Sequence, residues 1–176
     1  SPARQGLLAH CGLQHHESGG KAALLEVLFA TGCRVGEIAT LEIDKIDYLH
    51  KTITVIGKGN KQRTVPISDK ALLHLRRYFD NRSDNNVYAF VSNRKPYNRM
   101  SIDAIQGTLK KIGKQANIDN VHPHRCRATF VTRSIDKGMD LHDVQLIVGH
   151  SSIETTMRYY RGTGSASISY SKLNNN

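Results

Sequence analysis

The chain has 176 residues, with 25 Lys and Arg against 15 Asp and Glu, a formal net charge of +10 at pH 7. That length suits one domain with its own core and excludes both a peptide and a multi-domain machine, while 39% hydrophobic and 23% charged residues exclude a disordered chain. No apolar run approaches the roughly 20 residues of a membrane-spanning helix, and a basic excess of this size favours a polyanionic partner, nucleic acid being the commonest.

The start, Ser1-Pro2-Ala3-Arg4-Gln5, has neither an initiator Met nor the layout of a signal peptide, so the chain reads as a fragment or trimmed piece. Leu7-Leu8 fit a short helix. His10, Cys11, His15 and His16 crowd together, but Cys11-x3-His15 lacks the two further ligands that a metal site needs. Cys11, Cys33 and Cys126 are three, an odd count without CxxC spacing, which points to a reducing cytosol rather than a disulfide scaffold.

From Gly20 to Thr31 the apolar period is helical, with Leu24, Leu25, Val27, Leu28 and Phe29 on a wide face and Gly32 as the stop. A second short helix is expected from Arg34 to Leu41, with Val35, Ile38 and Leu41 inward. Thr52-Ile53-Thr54-Val55-Ile56 then alternates and is β-branched, Gly57-Lys58-Gly59-Asn60-Lys61 is turn chemistry, and Arg63-Thr64-Val65-Pro66-Ile67 returns as an edge strand. The result is a basic β-hairpin.

Ser68 caps a helix to Phe79, and Ser101 caps another in which Ile102, Ile105, Leu109 and Ile112 recur at helical spacing, with Lys110, Lys111 and Lys114 on the other side. Between them lie a polar loop, Asn81 to Asn86, and a strongly basic one, Arg94-Lys95-Pro96-Tyr97-Asn98-Arg99. His122-Pro123 opens a helix through Ile135 that Gly138 ends. Asp140 caps another through Val148, ended by Gly149, and Ser151-x-x-Glu154 has the form of a capping box for a last helix to Arg161. The tail from Gly162 is rich in Gly, Ser and Asn. The expectation is an α+β fold, mostly helical, with one small antiparallel hairpin packed on a helical bundle.

Four pieces carry chemistry. In Thr31-Gly32-Cys33-Arg34-Val35-Gly36-Glu37, an arginine just past a helix break can be held by the carboxylate three residues on. In Gly57-Lys58-Gly59, glycines put an ammonium on a finger that can approach a ligand closely. In His122-Pro123-His124-Arg125-Cys126-Arg127, His124 and Arg127 share a helix face, which suits two groups addressing one phosphate. The fourth runs from Leu146 to Tyr160, where Gly149-His150-Ser151-Ser152 is followed by Thr155-Thr156-x-x-Tyr159. Singly, each also fits ordinary chemistry: a surface ion pair, a basic turn, a polar helix face, a half-buried tyrosine.

Together, in this order and spacing from Ala22 to Tyr160, they resemble the catalytic domain of the tyrosine recombinases, also called phage-type integrases. The resemblance implies catalytic roles for Arg34, Lys58, His124, Arg127, His150 and the nucleophile Tyr159, with Glu37 supporting Arg34; the T-T-x-x-Y register selects Tyr159 over Tyr160. Two positions depart from the family: Cys126 stands where Leu is usual and Ala128 where His is usual, which puts the packing around the site in question. The candidate DNA contacts are Lys58, Lys61, Arg63, Arg94, Lys95, Arg99 and Arg125.

What the resemblance implies is DNA cleavage by attack of Tyr159 on a phosphodiester. Arg34 and Arg127 clamp the non-bridging oxygens, His124 takes the tyrosine proton, Lys58 protonates the departing 5′ oxygen, and His150 bonds the phosphate or steadies the tyrosine. The link formed is a 3′-phosphotyrosyl ester, so rejoining needs no ATP, and no metal or other cofactor is required. The implied partners are double-stranded recombination sites of a phage or mobile element and a homo-tetramer assembled on them, from a free monomer, with residues 161–176 packing onto a neighbour. The implied location is the cytoplasm of a bacterial or phage-infected cell, at the nucleoid, away from membranes. Residues 1–176 would be the C-terminal catalytic domain, the family's N-terminal core-binding domain lying outside them. The alternatives are a type IB topoisomerase, with the same chemistry but no partner exchange, and a DNA-binding regulator that has lost catalysis.

Overall fold

The computed structural model describes residues 5–6, 19–149, 155 and 157. The expectations for the cluster from His10 to His16, for the Ser151–Glu154 capping box and for the tail lie outside these residues.

Helix α1, Gly19–Thr31, is the centre of the molecule. Ala22, Ala23, Leu24, Leu25, Val27 and Leu28 are all buried, so its apolar surface is not one stripe but most of its circumference. Such a helix must be covered on several sides. Here α3, Asp69–Asp80, and α5, Pro123–Asp136, both pack against it. Between α1 and the sheet lies the short helix α2, Val35–Ala39, which ends two residues before the expected Leu41 and gives way to a 3₁₀ turn at Ile43–Lys45.

The sheet has three antiparallel strands in the order β1, β2, β3: Ile46–Asp47, Thr52–Ile56 and Gln62–Pro66. The hairpin of β2 and β3 is the expected one, and Pro66 lies on an edge strand, where a missing N–H costs no ladder bond. Strand β1 was not expected, because two residues are too few to show alternation. Ile46 pairs with Ile53 and Ile53 with Val65, and all three are buried. The hairpin tip is closed by the Gly57 N–H donating to the Lys61 carbonyl at 2.8 Å, around a 3₁₀ turn at Lys58–Asn60.

Side-chain caps set the helix starts. The Ser68 hydroxyl accepts from Ala71 N–H, Ser101 from Ala104 N–H, and Asp140 from His142 N–H. Helix α4, Ile102–Gln115, buries Ile105, Leu109 and Ile112 and leaves Lys110, Lys111 and Lys114 exposed, whereas Ile102 is itself exposed. Helix α6, Leu141–Val148, packs on α5 through a small separate core in which Val131, Val144 and Val148 are fully buried and Phe130 and Ile135 partly so. It also packs against β3.

Two glycines of α4 give opposite expectations. A Cβ at Gly113 would stand 2.7 Å from Val121 Cγ2 and 2.8 Å from the Ile118 carbonyl oxygen, so Gly113→Ala forces the 118–121 loop outward and costs about 1–3 kcal/mol. At Gly107 nothing lies within 4 Å, so Gly107→Ala stabilises by roughly 0.5–1 kcal/mol through helix propensity. Urea denaturation of both variants checks the pair; equal effects would contradict this packing.

Candidate active site

Helix α1 stops at Thr31 because Gly32 takes a left-handed backbone, φ +61°, and a Cβ there would meet the Phe130 ring at 2.5 Å. The chain turns sharply, and Arg34 becomes the extended residue that precedes α2. Its own N–H donates to Glu37 Oε2 at 2.7 Å, and its Nη1 lies 3.3 Å from Glu37 Oε1. The Arg34 side chain is 48% exposed and that of Glu37 only 3%. A buried carboxylate must be paired and hydrogen-bonded, or it would take up a proton.

The main partner of Glu37 comes from another element. Arg63, on β3, pairs with it through both terminal nitrogens, Nη1 to Oε1 and Nη2 to Oε2, the latter at 2.9 Å. Burial pushes the Glu37 carboxyl up, but the hydrogen bonds from Arg63 and from the Arg34 N–H, with the attraction of both guanidinium groups, outweigh it and hold the group below its ordinary value.

These arginines also meet the end of α6. The last carbonyls of a helix have no partner within it and carry the negative end of its dipole. The Val148 oxygen accepts from Arg127 Nη2 at 2.7 Å, Arg63 Nη2 at 3.3 Å and Arg34 Nη1 at 3.5 Å. The Gly149 oxygen accepts from Arg34 Nη2 at 2.7 Å, and the Ile147 oxygen from Arg63 Nε at 3.0 Å. Gly149 ends the helix at φ +66°, and a Cβ there would stand 3.1 Å from Arg63 Cζ. Arg127, 4% exposed, also donates Nη1 to the Gly32 oxygen at 2.6 Å, which ties α5 to the turn before Arg34.

One turn before Arg127 on α5, His124 is exposed and its ring lies nearly parallel to that of His122, centroids 6.3 Å apart. Loss of part of its hydration, then the neighbouring His122, then the Arg127 cation push the His124 pKa down. His122 caps α5, its Nδ1 accepting from the Arg125 N–H at 3.4 Å. Cys33 and Cys126 are each 1% exposed, and burial pushes their thiols up to about 11 and about 12, so both act as small packing groups.

The structure thus brings Arg34, Glu37 and Arg127 together and sets His124 next to them. Arg63, read from the sequence as a DNA contact, has a side chain only 18% exposed, and its guanidinium is engaged by Glu37 and the α6 carbonyls. The strand period carried this signal, since Arg63 shares a face with the buried Val65 and with Ile67 beyond it. Lys61, Arg94, Lys95, Arg99 and Arg125 are exposed. Arg99 sits 5.1 Å over the Tyr88 ring, and Arg125 donates to the Asp119 carbonyl. The Lys58 side chain, His150 and Tyr159 lie outside the described residues, although His150 follows the anchored Gly149 directly.

Residues 6–164 match the model of the phage integrase family. The chain is 37% identical over 141 residues to the tyrosine recombinase XerC of Corynebacterium glutamicum, covering 78% of this chain and 45% of that one. It superposes on the crystal structure of XerA recombinase with a TM-score of 0.81 and 30% identity, over 91% of this chain and 56% of that one. It shares the fold of XerH site-specific recombinase bound to palindromic difH substrate, with a TM-score of 0.77 and 21% identity, over 93% of this chain and 49% of that one. The chain spans about half the length of the curated relatives it matches.

Replacing Glu37 tests the electrostatics. A depressed pKa adds stability above the ordinary carboxyl value of 4.5, and this is lost as pH falls through the folded value. Glu37→Gln is expected to cost about 3 kcal/mol at neutral pH, the low end for a buried pair because Arg63 keeps some access to water. The deficit should close on acidification, because protonation removes the same charge from the wild type. Urea titrations of both chains from neutral pH to about pH 3 measure it; a deficit that does not change with pH would contradict this account.

Proposed function

The chain belongs to the phage integrase family, and from that membership we propose that it is the catalytic domain of a tyrosine site-specific recombinase that cuts and rejoins double-stranded DNA. The observation that carries the reading is the convergence of Arg34 and Arg127, far apart in sequence, on the one carbonyl oxygen of Val148. Arg34 and Arg63 both pair with Glu37 there, and Arg127 meets them at the Val148 carbonyl, so three guanidinium groups gather in one place among the described residues. A phosphodiester under attack gains negative charge on its free oxygens, and preorganised cations lower that barrier by several kcal/mol.

In this proposal Tyr159 attacks the phosphorus. The bond from phosphorus to the 5′ oxygen breaks, a 3′-phosphotyrosyl ester forms, and the energy of the ester is kept for rejoining. Arg34, with half of its side chain open to solvent, and Arg127 hold the non-bridging oxygens. A tyrosine hydroxyl, ordinary pKa near 10, must give up its proton on attack, and His124, held neutral at pH 7 by its depressed pKa, is the acceptor. Lys58 protonates the departing 5′ oxygen, and His150 bonds the phosphate. Exposed Lys61, Arg94, Lys95, Arg99 and Arg125 supply backbone contacts to the duplex.

The further parts of the proposal come from the family. Recombination sites of a phage or other mobile element are the substrate, four copies act together on them in the cytoplasm, and residues 161–176 reach a neighbouring copy. A separate N-terminal domain would complete the grip on DNA, so the present chain should bind duplexes weakly and with steep salt dependence. Its similarity to the tyrosine recombinases XerC and XerA supports site-specific recombination as the reaction.

A pool of nicked duplexes of randomised sequence, in which the cut strand releases a short 5′-hydroxyl fragment, tests the reaction. The chain is expected to leave a denaturation-resistant DNA adduct that Tyr159→Phe abolishes and Tyr160→Phe retains. Binding without any adduct would favour the regulator, and an adduct that survives Tyr159→Phe would overturn the assignment. The pH dependence of adduct formation gives a second check. The rate should fall on acidification with a midpoint below the ordinary histidine value of 6.5, because His124 must be neutral to accept the proton. An acid limb above that value would contradict the role of His124.

A further inference from the structure

Beside the arginines that the family resemblance marks, a third sits in the same cluster without a role. We infer that Arg63 is a positioning residue for strand cleavage, one that sets the Arg34 guanidinium through Glu37 and fixes the end of α6 from which His150 emerges. The inference rests on the recombinase reading above.

Three observations carry it. First, Arg63 is the bidentate partner of the buried Glu37, and Glu37 is in turn the carboxylate that holds both the main-chain N–H and the Nη1 of Arg34. Arg34 is therefore aimed by a carboxylate whose own position is set by Arg63. Second, the same guanidinium reaches past Glu37 to the Ile147 and Val148 carbonyls, so one planar group spans α2, β3 and α6. Third, Gly149 lets that plane lie against the main chain: a Cβ there would meet Cζ, Nε and Nη1 of Arg63 at 3.1–3.2 Å.

Lysine cannot reproduce this arrangement. An ammonium is a point donor, whereas the guanidinium fork grips two carboxylate oxygens and still presents Nε and Nη2 to carbonyls. Arg63 acts through other residues, so it should govern the rate of the chemical step and leave DNA affinity alone. A phosphate-contacting arginine would do the reverse.

The test compares the wild type with Arg63→Lys and with the double variant Arg63→Met/Glu37→Gln, which keeps the net charge and strands no buried ion. On the randomised nicked pool, at saturating protein and in a single turnover, both variants should form adduct about 10- to 100-fold more slowly. The final amplitude, which reports the folded active fraction, should stay at the wild-type level, as should the half-saturating concentration. On a random-sequence duplex, the slope of log binding constant against log salt should be that of the wild type. A slope shallower by about one in the double variant would show a phosphate contact and overturn the inference. So would Arg63→Lys cleaving at the wild-type rate, or a loss of amplitude with no change in rate. A wild-type chain that forms no adduct would overturn the recombinase reading itself, and this inference with it.

Discussion

The carbonyl end of α6 is the point on which the site depends. A helix terminus leaves its last carbonyls without partners, and they must be satisfied from outside. Here the satisfying donors are guanidinium groups from the turn after α1, from β3 and from α5. Three cations in so small a space repel one another. Partial negative charge on the carbonyls and the full charge of Glu37 offset this only in part. A remaining excess would favour a further anion there, as the proposed phosphoryl transfer requires.

The same contacts answer a packing problem. Helix α6 shares with α5 a small core built on Val131, Val144 and Val148, set apart from the main one around α1. Ile147 of the same helix also packs against the main core, and the guanidinium contacts that link α6 to the Gly32 turn, Glu37 and β3 add polar tethers to this apolar packing. Structure and chemistry are therefore coupled: the hydrogen bonds that place α6 are made by the side chains that would meet the phosphate. Cys33 and Cys126, small and buried, fill the space beside this cluster without adding charge at neutral pH.

Much of the frame was legible in the sequence because its signals are local. Ser68, Ser101 and Asp140 cap the helices they precede, Gly32 and Gly149 adopt the left-handed turns that end helices, and the alternation of Thr52–Ile56 gives β2. Arg34, Glu37, His124 and Arg127 were legible as candidates because their spacing matches a known pattern. What was not legible depends on tertiary partners. Strand β1 exists because Ile46 pairs with Ile53, and two residues carry no period of their own. Arg63 looked like one more cation of a basic hairpin, since charge alone suggests solvent. The strand period it shares with Val65 and Ile67 marks its inward face, but its partner Glu37, buried across from it, is a tertiary neighbour that no local pattern reveals.

The most direct test of the central claim observes the guanidinium groups themselves. In the nitrogen-15 NMR spectrum of the chain, arginine N–H signals report hydrogen bonding through exchange with water and through rotation about the Nε–Cζ bond. Arg63 and Arg127 should give dispersed signals with slow exchange and hindered rotation, and Glu37→Gln should loosen the terminal nitrogens of Arg63 while its Nε stays on the Ile147 carbonyl and Arg127 stays on the Gly32 and Val148 carbonyls. Signals for both residues that coincide with those of solvent-exposed arginines and exchange as fast would contradict the claim.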